Sequence, residues 1–305
     1  MAYGNPKVSI RGALAPSSTP SSDTLVFSSM FATIINDCRD ANAFARQATS
    51  LAFYFPHWHI NTVGIQNDIE AAFNLIDVLH AAKGGPGVIL ANVAPRHGEA
   101  KKWQNGTPFG YFYIGKTLVI SSVDGYTLSL VKKFGIINEI NLLDVATVVD
   151  AMTNLGKISS SEATRIKKTQ FRSLEFIIPV ARWLSDGLKI PSTKYSLENI
   201  KELPDCICFV DNFGNLKTSI TEKDLRFTDH SDATLIIKRK RGLLKNKKYK
   251  ITCYKQLKDV GDKELALTVG SSGFGENQLL EIIIQGGNAA KKLKAASGIK
   301  LEIKI

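Results

Sequence analysis

The chain has 305 residues, 44% of them hydrophobic and 22% charged, proportions that exclude a disordered or fibrous chain. No apolar run reaches the roughly 18–20 residues that cross a bilayer, and the first residues lack the apolar stretch of a secretory signal. A cytoplasmic protein without a membrane partner is expected. The formal net charge is +11, and from Pro191 onward there are 21 Lys and Arg against 14 Asp and Glu.

Length alone suggests two domains. Residues 1–24, rich in Ser, Pro, Gly and Ala, read as a flexible extension; the prolines oppose the amphipathic helix of a transit peptide. From Leu25, apolar strand-like runs alternate with longer amphipathic segments, the rhythm of an α/β domain over residues 25–188. The spacing predicts a helix from Ala41 to Phe55, ended by Pro56, and a strand from Trp58 to Val63. A second helix, capped by Asn67 or Asp68, carries Ile69, Phe73, Ile76 and Leu79 on one stripe. Gly84-Gly-Pro-Gly87 breaks the chain before Val88–Val93, an apolar strand of the buried kind. A hairpin around Gly115-Lys116 joins Phe109–Ile114 to Thr117–Ser121, and Leu174–Leu184 reads as a buried helix interrupted by Pro179.

The texture then changes. Residues 189–204 read as a linker, and residues 205–305 as a small β-barrel or sandwich, because short β-rich runs recur with frequent turns: Cys206–Val210, Leu235–Lys238, Tyr249–Tyr254, Leu265–Val269, Leu279–Ile284 and Lys300–Ile305. The chain has no internal repeat. The predicted class is α/β, a sandwich-like N-terminal domain followed by a C-terminal β-barrel.

The four cysteines, Cys38, Cys206, Cys208 and Cys253, include no CxxC pair, which excludes a disulfide framework and the usual zinc or redox spacing. Cys206 and Cys208 face the same way on a strand and read as small buried hydrophobes. Lys83-Gly-Gly-Pro-Gly87 is a tight turn and not a phosphate loop: the Lys precedes the glycines, no Ser or Thr follows, and Pro86 lacks an N–H. His57 and His59 fall on one face of a predicted strand, either as a metal-ligating pair, for which no third ligand is identifiable, or as pocket-lining or structural histidines. His97 follows Val88–Val93, where α/β sheets commonly hold ligands, and is a candidate general acid or base. Lys238–Lys250 is either a solvated loop between strands or an anion-binding segment; without a nucleic-acid motif or an aromatic array, nucleic acid is not the expected partner.

The segment Phe209–Ile220 is the most specific. Asp211 and Asn215 bracket an aromatic–glycine turn at a strand end, which either presents a carboxylate, an amide and a ring to a small ligand or is a plain hairpin. Here the sequence resembles the S-adenosylmethionine hydroxide adenosyltransferases. Val210-Asp-Asn-Phe-Gly-Asn-Leu-Lys-Thr-Ser-Ile220 is similar to the family's D-x-F-G-N-x-x-T-N-I, Asp68-Ile-Glu-Ala-Ala72 to its D-I-x-x-A-A, and Leu90–Gly98 to its V-V-D-P-G-V-G. Ser121–Gly125 is similar to G-P-D-N-G, Thr169–Ala181 to T-F-H-G-R-D-x-F-A-P-V-A, and Gly270-Ser-Ser with Leu280–Ala290 to the closing G-S…E-I-A-x-N-x-G-x-A-A. The blocks keep the family order.

The resemblance implies an α/β domain plus a C-terminal barrel, a homotrimer with sites between subunits, and S-adenosylmethionine as substrate or ligand with no separate cofactor and no metal. It implies ligand-binding roles for Asp37, Asp124, Asp211, Phe213, Asn215 and Ser271. It also implies a loss: the three positions that activate water in the family hold Ala94, Lys101 and Arg172, leaving His97 as a substitute base. Two functions follow: a divergent hydrolase giving adenosine and methionine, or an adenosyl-binding protein without turnover. An anion- or nucleic-acid-associated protein using residues 238–250 is a third reading, independent of the resemblance.

Overall fold

The computed structural model describes residues 30–94, 106–238 and 246–305. The expected N-terminal extension, His97, Lys101 and the centre of the basic run lie outside the described residues. The α/β domain begins with β1 (Phe31–Asn36), α1 (Ala41–Tyr54), β2 (His59–Gly64), α2 (Asp68–Ala82) and β3 (Gly87–Asn92). Then come the hairpin β4 (Phe109–Ile114) and β5 (Thr117–Ser122), α3 (Ser129–Lys133), β6 (Glu139–Leu143), α4 (Val145–Asn154), α5 (Ser160–Lys168), α6 (Arg172–Glu175), α7 (Ile177–Ser185) and β7 (Thr193–Ser196). The strand order is β2-β1-β3-β5-β4-β6-β7. The first four strands are mutually parallel and the last three alternate. β7, within residues 189–204, is the outer strand of this sheet.

Burial on both faces explains the continuous apolar runs of β1, β3 and β5. Ala32, Ile34, Val88 and Leu90 pack with Leu51 of α1, with Phe55 just after it, and with Ile177, Val180 and Trp183 of α7. Ile35, Ile89 and Ala91 face the other way, toward Ala72, Leu75, Ile76 and Leu79 of α2. Burial of each such large side chain contributes about 1.5–3 kcal/mol. α2 starts where Asn67 accepts the amide protons of Ile69 and Glu70, and ends at Lys83 in the left-handed region. The glycine turn that follows abuts the β4–β5 turn at the amino end of β3: Lys116 donates to the Gly84 carbonyl and the Thr117 hydroxyl to that of Gly85. A Cβ on Gly115 would lie 2.7 Å from the Gly84 oxygen.

Two local expectations are corrected. His57 is not on a strand: its φ is +70°, in the turn before β2, so the two histidines do not share a strand face. The break in the Leu174–Leu184 helix falls at Phe176, between α6 and α7, and not at Pro179. Pro179 occupies the first turn of α7, where its missing N–H would have had no partner within the helix.

The barrel-like domain contains β8 (Ile207–Val210), β9 (Leu216–Thr221), β10 (Asp232–Ile237), β11 (Lys247–Tyr254), β12 (Leu265–Phe274), β13 (Asn277–Ile284), α8 (Ala289–Leu293) and β14 (Leu301–Lys304). Its sheet runs β14-β10-β11-β12-β13-β9-β8. The two edges meet through a bridge between Cys206 and Lys300, with Ile207 donating to Ile299 and Leu301 to Asp205. Curling the edges together satisfies backbone groups that an open sheet would leave unpaired. Leu216, Leu235, Leu267 and Ile282 fill the interior, and Ala289 and Leu293 of α8 close one end.

α2 joins the two halves. Its Phe73 stacks on Phe209 of β8 at 5.4 Å, and Cys206, Cys208 and Leu279 enter the cluster on that face of the first sheet. Both thiols are fully buried, as the spacing predicts. Asp77 accepts the Gly273 amide at 3.0 Å and His80 that of Gly275 at 3.2 Å.

Candidate functional site

β1 leads through α1 to β2 on one side and β3 returns to the other side of β1, with α1 and α2 on opposite faces. The crevice beyond the carboxyl ends of β1 and β3 is therefore a topological switch point, where neither helix covers the strand ends. A cavity of about 330 Å³ opens there, lined in part by Asp37, Asn92, Ala94, Thr107, Arg172 and Ser173.

Beneath it, reaching the cavity at Asn92 and Ser173, lies a buried amide network. Asn36 and Asn92 are register partners that end β1 and β3. The Asn92 amide donates to Asn36 Oδ1, Asn36 donates to Gln47 Oε1, and Gln47 donates to the Ser173 hydroxyl. Asn36 and Gln47 are fully buried. In such surroundings each satisfied hydrogen bond fixes its neighbour's geometry, whereas an unpaired amide would cost about 1–3 kcal/mol. None of these four was singled out from sequence, although two apolar strands that both end in Asn carried a signal.

Asp37 is the next residue. Its Oδ2 accepts the Ala94 amide at 3.1 Å. Its Oδ1 is buried and has no hydrogen-bond partner among the described residues. Ala94 contributes a backbone N–H and no carboxylate. Arg172 lies across the cavity, its guanidinium donating to the Thr107 carbonyl at 3.3 Å. Burial pulls its pKa below the ordinary arginine value, yet a guanidinium stays protonated in proteins and cannot serve as a base. Arg172 also lines an adjoining cavity of about 350 Å³ with Asp144, Thr147 and Thr193.

The other candidates lie elsewhere. Asp124 follows β5 in a turn, almost wholly buried, and accepts the Gly125 amide at 3.0 Å; it is not among the residues lining the Asp37 cavity. The Asp211 turn joins β8 to β9. Asp211 Oδ1 accepts the amides of Phe213 and Asn215, and Oδ2 accepts the Asn215 side-chain amide. The carboxylate shapes the turn and leaves the Phe213 ring 76% exposed. Gly214, at φ +84°, packs against the Asn288 side chain with no room for a Cβ. Ser271 lies in a bulge of β12, its amide 3.3 Å from Glu281 Oε1. This barrel group does not line the cavity that holds Asp37 in the same chain. No cluster of three or more His, Cys, Asp or Glu with metal-holding geometry occurs among the described residues, and no helix among them is long and apolar enough to cross a membrane. In the basic run, Lys247–Lys250 lie on β11 paired with β10, so part of it is strand.

Residues 205–302 match the model of the SAM hydroxide adenosyltransferase C-terminal domain. The match supports a likeness of this barrel domain to the S-adenosylmethionine hydroxide adenosyltransferase family. Among solved structures, an uncharacterized conserved protein from Thermotoga maritima is similar over 90% of this chain and 100% of its own, with a TM-score of 0.62 and 16% identity. A conserved hypothetical protein from Thermus thermophilus is similar over 90% of this chain and 99% of its own, with a TM-score of 0.57 and 16% identity. At this identity the likeness concerns the fold. No curated protein matches the chain.

Proposed function

We propose that the protein binds an adenosyl ligand, S-adenosylmethionine or a fragment of it, in the switch-point cavity. Asp37 accepts the ribose hydroxyls, and the Phe213 turn with Ser271 reaches the ligand from a neighbouring copy in a homotrimer. The observation that carries the reading is the buried Asp37 Oδ1, which has no hydrogen-bond partner among the described residues. A ribose diol supplies two O–H donors, and a buried carboxylate gains most from such donors. The match of the barrel domain to the family and the exposure of Phe213 support the same ligand class and a site shared between copies.

Turnover is a separate matter. Displacement at C5′ by water needs a proton acceptor beside the nucleophile, and loss of a positioned base costs about 10²–10⁴-fold. Ala94 and Arg172 cannot accept the proton, so binding is the conclusion, and hydrolysis requires His97 or another base. The test combines calorimetry with S-adenosylmethionine and with adenosine, each with and without chloride, and mass spectrometry of the products. Asp37→Ala is expected to weaken both ligands at least tenfold; unchanged affinity removes Asp37 from the site. Adenosine and methionine formed by the wild type and lost in His97→Ala would establish hydrolysis, and binding without products would establish a non-hydrolytic protein.

A further inference from the structure

Two segments of the barrel carry candidate ligand contacts, the Phe213 turn between β8 and β9 and the Ser271 bulge of β12. They are not neighbours in the sheet; β13 lies between β9 and β12. A buried charged group spans the gap. Lys217 of β9 and Glu281 of β13 are register partners, 9% and 6% exposed, and their side chains form an ion pair. The Lys217 ammonium is also 3.7 Å from Asp211 Oδ2, the carboxylate that shapes the Phe213 turn. On the other side, Glu281 Oε1 accepts the Ser271 amide, and its carboxylate fills the space that a Cβ on Gly270 would need. From α2, Asp77 accepts the Gly273 amide at the end of the same bulge.

A lysine in this position is an expensive choice for stability alone. Buried ion pairs are often no better than well-packed apolar residues of the same volume, whereas removing one partner is strongly destabilising. What an apolar pair would lack is direction: the Asp211–Lys217–Glu281–Ser271 series ties turn to bulge through groups with fixed donors and acceptors. We infer that Lys217 is a positioning residue, coupling the Phe213 turn to the Ser271 bulge so that both present one geometry to the ligand. The ligand's identity rests on the adenosyl reading; the mechanical coupling does not.

The test uses the full chain as Glu281→Gln, Lys217→Met and the Lys217→Met/Glu281→Gln double variant, which leaves neither of the two charges alone. Amide hydrogen exchange is expected to accelerate at least tenfold at Phe213 and Asn215 and at Ser271 and Gly273 together, while Leu267 and Leu280 keep their protection. Acceleration in one segment only, or in neither, would overturn the coupling. If Lys217→Met fails to fold, Glu281→Gln, which retains the side-chain shape, gives the same readout. Affinity for S-adenosylmethionine supplies a second measure. Asp211→Asn and Glu281→Gln are expected to be non-additive with Lys217 present and additive in the Lys217→Met background; additivity in both backgrounds rejects the positioning role. A wild type that binds neither S-adenosylmethionine nor adenosine refutes the adenosyl reading instead, and exchange alone then decides the coupling.

Discussion

Asp37 and Asp211 show how one residue type takes opposite roles. Asp211 spends its acceptors on its own turn, where Phe213, Asn215 and Lys217 surround it. Asp37 has one oxygen held by Ala94 and the other buried without a partner among the described residues. A carboxylate in the second state reduces stability until something donates to it. Asp37→Asn is therefore expected to leave the melting temperature unchanged or raise it while weakening adenosyl binding. Thermal denaturation beside calorimetry checks this, and a large fall in melting temperature would mark Asp37 as structural. Both aspartates were legible in the sequence. Their difference was not, because it depends on which N–H groups the fold brings within hydrogen-bonding reach.

Among the elements, α2 carries the most consequence, since it covers the first sheet and holds the barrel. Asn67 caps it and also donates to the Ser297 hydroxyl at 3.3 Å. Asn67→Ala is expected to cost about 1 kcal/mol for the lost cap, read as a shifted denaturant midpoint, with faster exchange near Ser297; a loss confined to the helix would separate the cap from the domain contact. Gly214 shows the reverse case, a turn that tolerates no side chain. Gly214→Ala meets both the left-handed backbone penalty of about 1–2 kcal/mol and the Asn288 side chain, so the barrel is expected to lose more stability than after Asn67→Ala. Comparison of the two denaturant midpoints decides that order. The helix and its cap were readable from Asn67 and the stripe at Ile69, Phe73, Ile76 and Leu79. The end of α6 was not, because Pro179 fits the start of the next helix as well as the interruption of one.

At the scale of the molecule, the halves are joined by polar contacts as well as apolar ones. Lys133 of α3 reaches into the barrel, donating to the Ser219 carbonyl and to Asp224 Oδ2, each at 2.6 Å. Burial tends to raise the Asp224 pKa, but the Lys133 ammonium and the Thr221 amide outweigh it and hold the value below the ordinary 3.8. The folded state thus binds this proton less readily than the unfolded state. The pair's contribution is fully present above the unfolded pKa and is lost as pH falls below 3.8 through the depressed folded value. Because Asp224 is partly exposed, the effect is small, about 1 kcal/mol or less. Lys133→Met is expected to flatten the acid limb of the stability curve, measured by denaturant titration from mildly acidic pH downward; an unchanged slope would show that the pair contributes nothing. Assembly is tested at the same scale. If the Phe213 turn completes a neighbour's cavity, sedimentation should show a trimer and Phe213→Ser should weaken both assembly and binding, whereas a monomer that binds at full affinity would confine the site to one chain.

Local periodicity, capping chemistry and ordered motifs were enough to read the α/β class, most of the strand runs though not β1, β6, β7 or β9, the α2 cap, the burial of Cys206 and Cys208 and the family resemblance of the barrel. Packing in three dimensions was needed to join Asn36, Gln47, Asn92 and Ser173 in one network beneath the cavity, to set Lys217 against Glu281, to take His57 off the strand and to keep the Asp37 and Phe213 groups apart in one chain. Most of these are contacts between residues far apart along the chain. They depend on strand order, register and crossover side, for which a linear pattern carries no signal.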